Sequence, residues 1–180
     1  AHAICHSGAE IPFPKGTEDC HHEMEFVVAL ASGGEDIAEA DAMAHVAGYC
    51  IVNDISERAW QAEREGQWTK GKSYDGFAPM GPWLVTADEI ADPQSLRVTL
   101  DLNGERVQDE TTGDMIFTVA QIVSHMSQFM KLVPGDIIAT GTPSGVGMGM
   151  KPQRFLKPGD VMEIEVEGLG RQRQEAVAAK

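Results

Sequence analysis

Two glutamates stand two positions apart at the head of an apolar run, Glu23-Met24-Glu25-Phe26-Val27-Val28-Ala29-Leu30. In an extended strand, side chains i and i+2 share a face, so these carboxylates lie at most ~7 Å apart, near enough to grip one ion. Met24 and Phe26 face the other way. Carboxylates that open an apolar strand cost free energy unless something neutralises them. A hard divalent cation such as Mg²⁺ or Ca²⁺, which prefers oxygen ligands, would do so. A solvated strand end fits the same spacing. A third carboxylate, Asp54, ends a second apolar run, Cys50-Ile51-Val52-Asn53. Arg58 and Gln61 follow it at i+4 and i+7, and a helix over 56–67 would present all three on one side. That would join a carboxylate, a cation suited to a substrate carboxylate and an amide. An N-capping Asp54 paired with Arg58 across one turn is the plainer alternative.

Lys72 sits between glycine and serine in Gly71-Lys72-Ser73. With Gly66 the stretch is a formal match to a phosphate-binding loop, but such a loop follows a hydrophobic strand, and Gln61 to Glu65 is polar. Lys72 is better read as a partner for a substrate carboxylate or a developing oxyanion, against a plain solvated lysine. Thr140-Gly141-Thr142-Pro143-Ser144-Gly145-Val146-Gly147 combines glycines that allow close backbone approach with hydroxyls and N–H groups that could hold a carboxylate. An ordinary turn explains it too. His21 and His22 flank Glu23 without zinc-site spacing. His45 and His125 read as surface or boundary residues, and His2 as a general base without a local partner.

The elements that must position these groups are mostly strands. The pattern predicts a loop over 1–20, strands over 21–30 and 49–53, a helix over 36–48 and another over 56–67. It then predicts an irregular stretch over 68–83, a length that is often functional. Alternation over 95–107 with Asn103-Gly104 at its turn predicts a hairpin. Val119, Ile122, Val123, Met126, Phe129 and Met130 predict an amphipathic helix over 117–132. Pro-Gly turns precede strands over 137–140 and 161–167, and the polar tail over 171–180 is expected to fray. The 180 residues suit one domain. Twenty-eight acidic against fourteen basic residues, net −14, argue against nucleic-acid and membrane-surface partners. No apolar run reaches the ~18 residues of a membrane span. Cys5, Cys20 and Cys50 show no metal spacing and suit reduced thiols in the cytoplasm.

Five ordered segments resemble the fumarylacetoacetate hydrolase family, and among its members bacterial fumarylpyruvate and acylpyruvate hydrolases. They are HHEMEFVVAL (21–30), GYCIVNDISERAWQ (48–61), GKSYDGFAPMGPWLVT (71–86), PGDIIATGTPSGVG (134–147) and FLKPGDVMEIEVEGLG (155–170). The resemblance implies a mixed α/β, β-rich fold: the family's mixed β-sandwich roll with a few peripheral helices, in a homodimer. It implies one Mg²⁺, with Mn²⁺ or Ca²⁺ as alternatives, on Glu23, Glu25 and Asp54. Arg58, Gln61, Lys72 and Thr142 match positions that contact substrate, with Lys72 and Gln61 in the chemistry. The implied reaction is cleavage of a C–C bond in a small acylpyruvate or related 2,4-dioxo diacid of aromatic catabolism. Isomerisation or decarboxylation of a 2-oxo acid on the same metal is the alternative, and a catalytically silent ligand-binding protein a third reading. Residues 1–12 resemble the end of a lid segment, with the single catalytic domain over 13–180. His2 matches that segment's catalytic histidine. Cys5 stands where its glutamate partner is expected, and Ala59 where Asp is frequent.

Overall fold

Valine, isoleucine and aromatic side chains stiffen at the first side-chain torsion and favour the pleated backbone, and their runs set the strands here. The structure, a computed structural model, describes residues 2–17 and 19–179. Its strands are β1 (Ile4–His6), β2 (Glu10–Pro12), β3 (Cys20–His21), β4 (Met24–Leu30), β5 (Val46–Asn53), β6 (Ser56–Glu57), β7 (Ala78–Thr86), β8 (Arg97–Leu102), β9 (Glu105–Thr111), β10 (Ile137–Ala139), β11 (Val161–Val166) and β12 (Gly170–Val177). One five-stranded sheet has the order β1-β7-β5-β4-β10, and a second has β2-β12-β11-β8-β9. β3 and β6 form a two-stranded ribbon. Pairing is antiparallel except for β1 on β7 and β2 on β12. Helix α1 (Thr69–Lys72) is one turn, and α2 (Val119–Ser127) is closed by a capping box between Thr118 and Gln121.

The main core lies between the sheets. Phe26, Val28, Tyr49 and Ile51 of the first join Val98, Leu100, Met162 and Ile164 of the second. The opposite face of the first sheet carries a smaller cluster, Val27, Cys50 and Val52. Glu25 is opposite Val52 and Val27 opposite Cys50 across the β4–β5 ladder, so Glu25 shares that outer face. The expected mixed α/β, β-rich fold with few helices is the one observed.

Several local expectations are corrected. The loop expected over 1–20 is interrupted by β1 and β2, each of which adds a strand to a different sheet. Ala1 lies outside the described residues, as do Glu18 and Lys180. The helix expected over 36–48 is a 3₁₀ segment at Glu39–His45 that gives way to β5. Gly48 lies in that strand, and its lack of a Cβ lets β7 pack against it: a Cβ there would sit 2.1 Å from the Val85 carbonyl oxygen. The helix expected over 56–67 is β6 followed by a π-helical turn at Ala59–Glu63. The stretch over 68–83 contains α1 and the start of β7. Phe129 and Met130 lie beyond α2 and are exposed. The tail is β12, an inner strand of the second sheet. The hairpin stands, with Asn103 (φ 54°) and Gly104 (φ 80°) forming the left-handed turn that its Asn-Gly predicts.

Candidate active site

Glu23 ends the connection from β3, and Glu25 is the second residue of β4. Asp54 follows β5, and its backbone N–H donates to the Glu23 carbonyl at 2.8 Å. The Glu23 N–H in turn donates to the Asn53 side chain at 3.1 Å. These two bonds lock the start of β4 to the end of β5. As a result Glu23, Glu25 and Asp54 each offer a carboxylate oxygen, and the three oxygens lie within 4.8 Å of one another. Glu23 and Glu25 are buried and Asp54 partly so. Burial, then the negative charge of Asp54, push Glu25 up to about 7, against an N–H from Gly141 that reaches its Oε2 at 2.8 Å. Burial also raises Asp54, opposed by Lys72.

Two cations face the cluster. Arg58 donates to Glu23, to the Gln61 side-chain oxygen and to His21. Lys72 donates to Glu23 at 2.7 Å, to Ser56 at 2.9 Å and to Asp54. Burial pulls Lys72 down, but the charge of Asp54 and the bonds to both carboxylates leave it above its usual value. α1 can deliver Lys72 because Gly71 is bare: a Cβ there would lie 2.5 Å from the Glu57 carbonyl oxygen and 2.7 Å from Gln61 Cβ. Gln61 is buried, and its Nε2 has no partner among the described residues. The loop after β10 closes the other side. Thr140 is tied to the Phe26 carbonyl by its N–H at 3.1 Å and its hydroxyl at 2.7 Å, and Thr142 follows.

Together these residues line a cleft of about 330 Å³: Glu23, Glu25, Asp54, Arg58, Gln61 and Lys72 on one side, Gly141 and Thr142 on the other, with exposed Trp68 at the rim. The sequence-predicted set therefore converges, except for His2, which is exposed on the turn before β1 and is not among the lining residues. His22 turns to the Gly145 carbonyl at 3.2 Å, away from the cluster. Burial, with Arg58 beside it, pushes His21 down to about 3. Sequence reasoning missed Trp68, Ser56 and His21. Ser56 had a signal, since it lies two residues after Asp54 in a segment too polar for a core strand. Trp68 had only its place at the head of the irregular stretch over 68–83.

The cluster fits a hard divalent cation. Three oxygen donors are held close and mostly out of water, and burial, then the like charge of Asp54, raise the Glu25 carboxyl, a cost that a bound cation would offset.

A family profile described as fumarylacetoacetate (FAA) hydrolase C-terminal matches residues 1–177. A Burkholderia multivorans protein, named no more narrowly than as a hydrolase, is 50% identical over 179 residues, covering 99% of this chain and 64% of that one. The chain thus spans less than two thirds of that relative's length. A Burkholderia cenocepacia protein proposed to be a fumarylpyruvate hydrolase superposes with a TM-score of 0.90 at 34% identity, covering 100% of this chain and 78% of that one. The 5-carboxymethyl-2-hydroxymuconate delta-isomerase of Mycobacterium smegmatis gives 0.89 at 34%, covering 99% and 67%. With the profile spanning nearly every residue and half of them shared with a relative, the chain belongs to the fumarylacetoacetate hydrolase family.

Proposed function

We propose that the chain carries the catalytic site of a metal-dependent hydrolase that cleaves a C–C bond in a small acylpyruvate or related 2,4-dioxo diacid of aromatic catabolism. The observation that carries this reading is the meeting of Glu23, Glu25 and Asp54 oxygens within 4.8 Å, beside Arg58, Gln61, Lys72 and Thr142. Those three carboxylates would hold Mg²⁺, or Mn²⁺ or Ca²⁺ in its place. When bound, the ion supplies Lewis acidity toward a 2-oxo acid and its leaving enolate.

The chain's own residues supply the rest. Arg58 and Thr142 bind and orient the substrate carboxylate, Arg58 by its planar fork. Lys72 is held charged by Asp54 and Glu23, so it can donate to negative charge that develops on the substrate oxygen. The free Nε2 of Gln61 donates to the same region. A base must take a proton from the attacking water. The family resemblance supplies His2 for this role, which requires the N-terminal turn to bring it to the cleft. His2→Ala tests that alone, and unchanged turnover would remove His2 from the mechanism.

The second reading, isomerisation or decarboxylation of a 2-oxo acid, is supported by the likeness to the M. smegmatis isomerase and by Cys5 at the position of a lid glutamate. Assays of acylpyruvates and oxaloacetate, each with and without EDTA, separate the two. Hydrolysis that EDTA abolishes supports the first reading. Ketonisation or CO₂ release without hydrolysis supports the second. The reading includes a cytoplasmic homodimer with a small 2-oxo acid as ligand and neither nucleic acid nor membrane as partner, in keeping with the net charge of −14. Among the described residues no helix is long and apolar enough to cross a membrane.

A further inference from the structure

Gln108, on β9, is 1% exposed and takes no part in the chemistry above. Its Nε2 lies 3.0 Å from the Thr142 hydroxyl oxygen, 3.0 Å from the Pro143 carbonyl oxygen and 3.2 Å from the Ser144 carbonyl oxygen. The two carbonyls can only accept, so the amide must present its nitrogen to them. Its own Oε1 stays buried without a partner among the described residues. That nitrogen carries two hydrogens for three acceptors and cannot itself accept, so the Thr142 hydroxyl takes a shared N–H as acceptor. The hydroxyl proton of Thr142 is left for another acceptor, and Thr142 lines the cleft. The loop is pinned around this contact. A Cβ on Gly145 would lie 1.9 Å from the Val107 carbonyl oxygen, and the Ser144 hydroxyl donates to Glu110 at 2.9 Å.

We propose that Gln108 is a positioning residue: by donating to the Thr142 hydroxyl it keeps that hydroxyl's proton available to a carboxylate in the cleft. The proposal rests on Thr142 binding the substrate carboxylate, as in the function proposed above. It selects an anionic oxygen at this point of the site, since a donor group there would meet the Thr142 proton.

The test is a double-mutant cycle between Gln108→Met, which keeps the volume and cannot donate, and Thr142→Val. The probe is oxalate, titrated calorimetrically into the magnesium-loaded protein, and Mg²⁺ affinity is measured separately without oxalate. Each single substitution is expected to weaken oxalate about tenfold, the scale of one hydrogen bond to a charged group. The double variant should be no weaker than Thr142→Val alone, because on this account Gln108 reaches oxalate only through the Thr142 hydroxyl. Mg²⁺ affinity should stay within about twofold, as expected where neither group shares a partner with the ligand carboxylates. Equal weakening by Gln108→Met with and without the Thr142 hydroxyl would overturn the proposal and leave the reading of Thr142 standing. An unchanged oxalate affinity in Thr142→Val would remove both. Should Gln108→Met not fold, the near-isosteric Gln108→Glu is read through the same cycle, where its effect in the Thr142→Val background subtracts the added charge.

Discussion

At the scale of single residues, the site is an electrostatic problem: three carboxylates share a space that burial makes hostile to charge. Asp54→Ala removes one oxygen donor and one like charge. It should abolish Mg²⁺ binding and turnover while the metal-free melting temperature stays close to wild type. Mg²⁺ affinity that survives in calorimetry would count against the assignment. Glu25 makes the affinity depend on pH. Its carboxyl is raised from 4.5 to about 7 in the metal-free protein, so between those values the folded state holds a proton that the ion must displace. Affinity should therefore rise about tenfold per pH unit up to pH 7 and flatten above it, with proton release below. The sign for stability follows: this group's contribution to the metal-free fold is present below 4.5 and lost as pH rises to 7. Titrations in two buffers of different ionisation enthalpy would reveal the released proton.

At the scale of elements, what positions the charges is close backbone approach, and this is where the sequence was hardest to read. The helix expected over 56–67 would have put Arg58 and Gln61 on the side of Asp54, but β6 pairs with β3 first and only a π-turn follows. The three groups still meet, through Arg58 bonded to Gln61 rather than through one helix face. Gly71→Ala tests the approach of α1. Its Cβ would overlap the Glu57 carbonyl and Gln61, costing about 1–3 kcal/mol and shifting Lys72. Turnover should fall at least about tenfold, the low end for a misplaced positioning group, with thermal stability reduced in step. Full activity would show that the contact does not place Lys72. β12 was missed for a different reason. Its inward positions are Gln172, Gln174 and Ala176, which read as a polar tail. The Gln172 amide donates to the Ile51 carbonyl at 2.8 Å and to Gly81 at 2.7 Å, stitching β12 to the first sheet. Gln174 passes the chain on to Asn53, which holds Glu23. Gln172→Leu removes a side-chain donor from two carbonyls, at about 0.5–1.5 kcal/mol for each bond lost. A melting temperature within a degree of wild type would contradict that account.

At the scale of the whole molecule, two sheets meet over one core, and the cleft opens on the far side of the first sheet. The apolar strands β4 and β5 and the hairpin were legible because their side-chain pattern states their burial directly. So were Glu23, Glu25 and Asp54, whose charge conflicts with that burial unless a ligand resolves it. The mouth of the cleft was not legible. Trp68 and the Gln108 clamp depend on contacts between residues far apart in the chain. Ile116 (89% exposed), Phe117 (62%) and Phe129 (62%) leave large apolar groups at the surface, consistent with the proposed homodimer. Light scattering should give twice the 19.4 kDa of one chain, and a monomer at micromolar concentration would contradict it. The central claim is that three carboxylates at the start of β4 and the end of β5 grip one cation. Anomalous diffraction from crystals soaked in Mn²⁺ and oxalate tests it most directly. A single peak about 2.1 Å from one oxygen each of Glu23, Glu25 and Asp54 is the predicted result; no peak there, with Lys72 still bonded to Glu23 and Asp54, would contradict it.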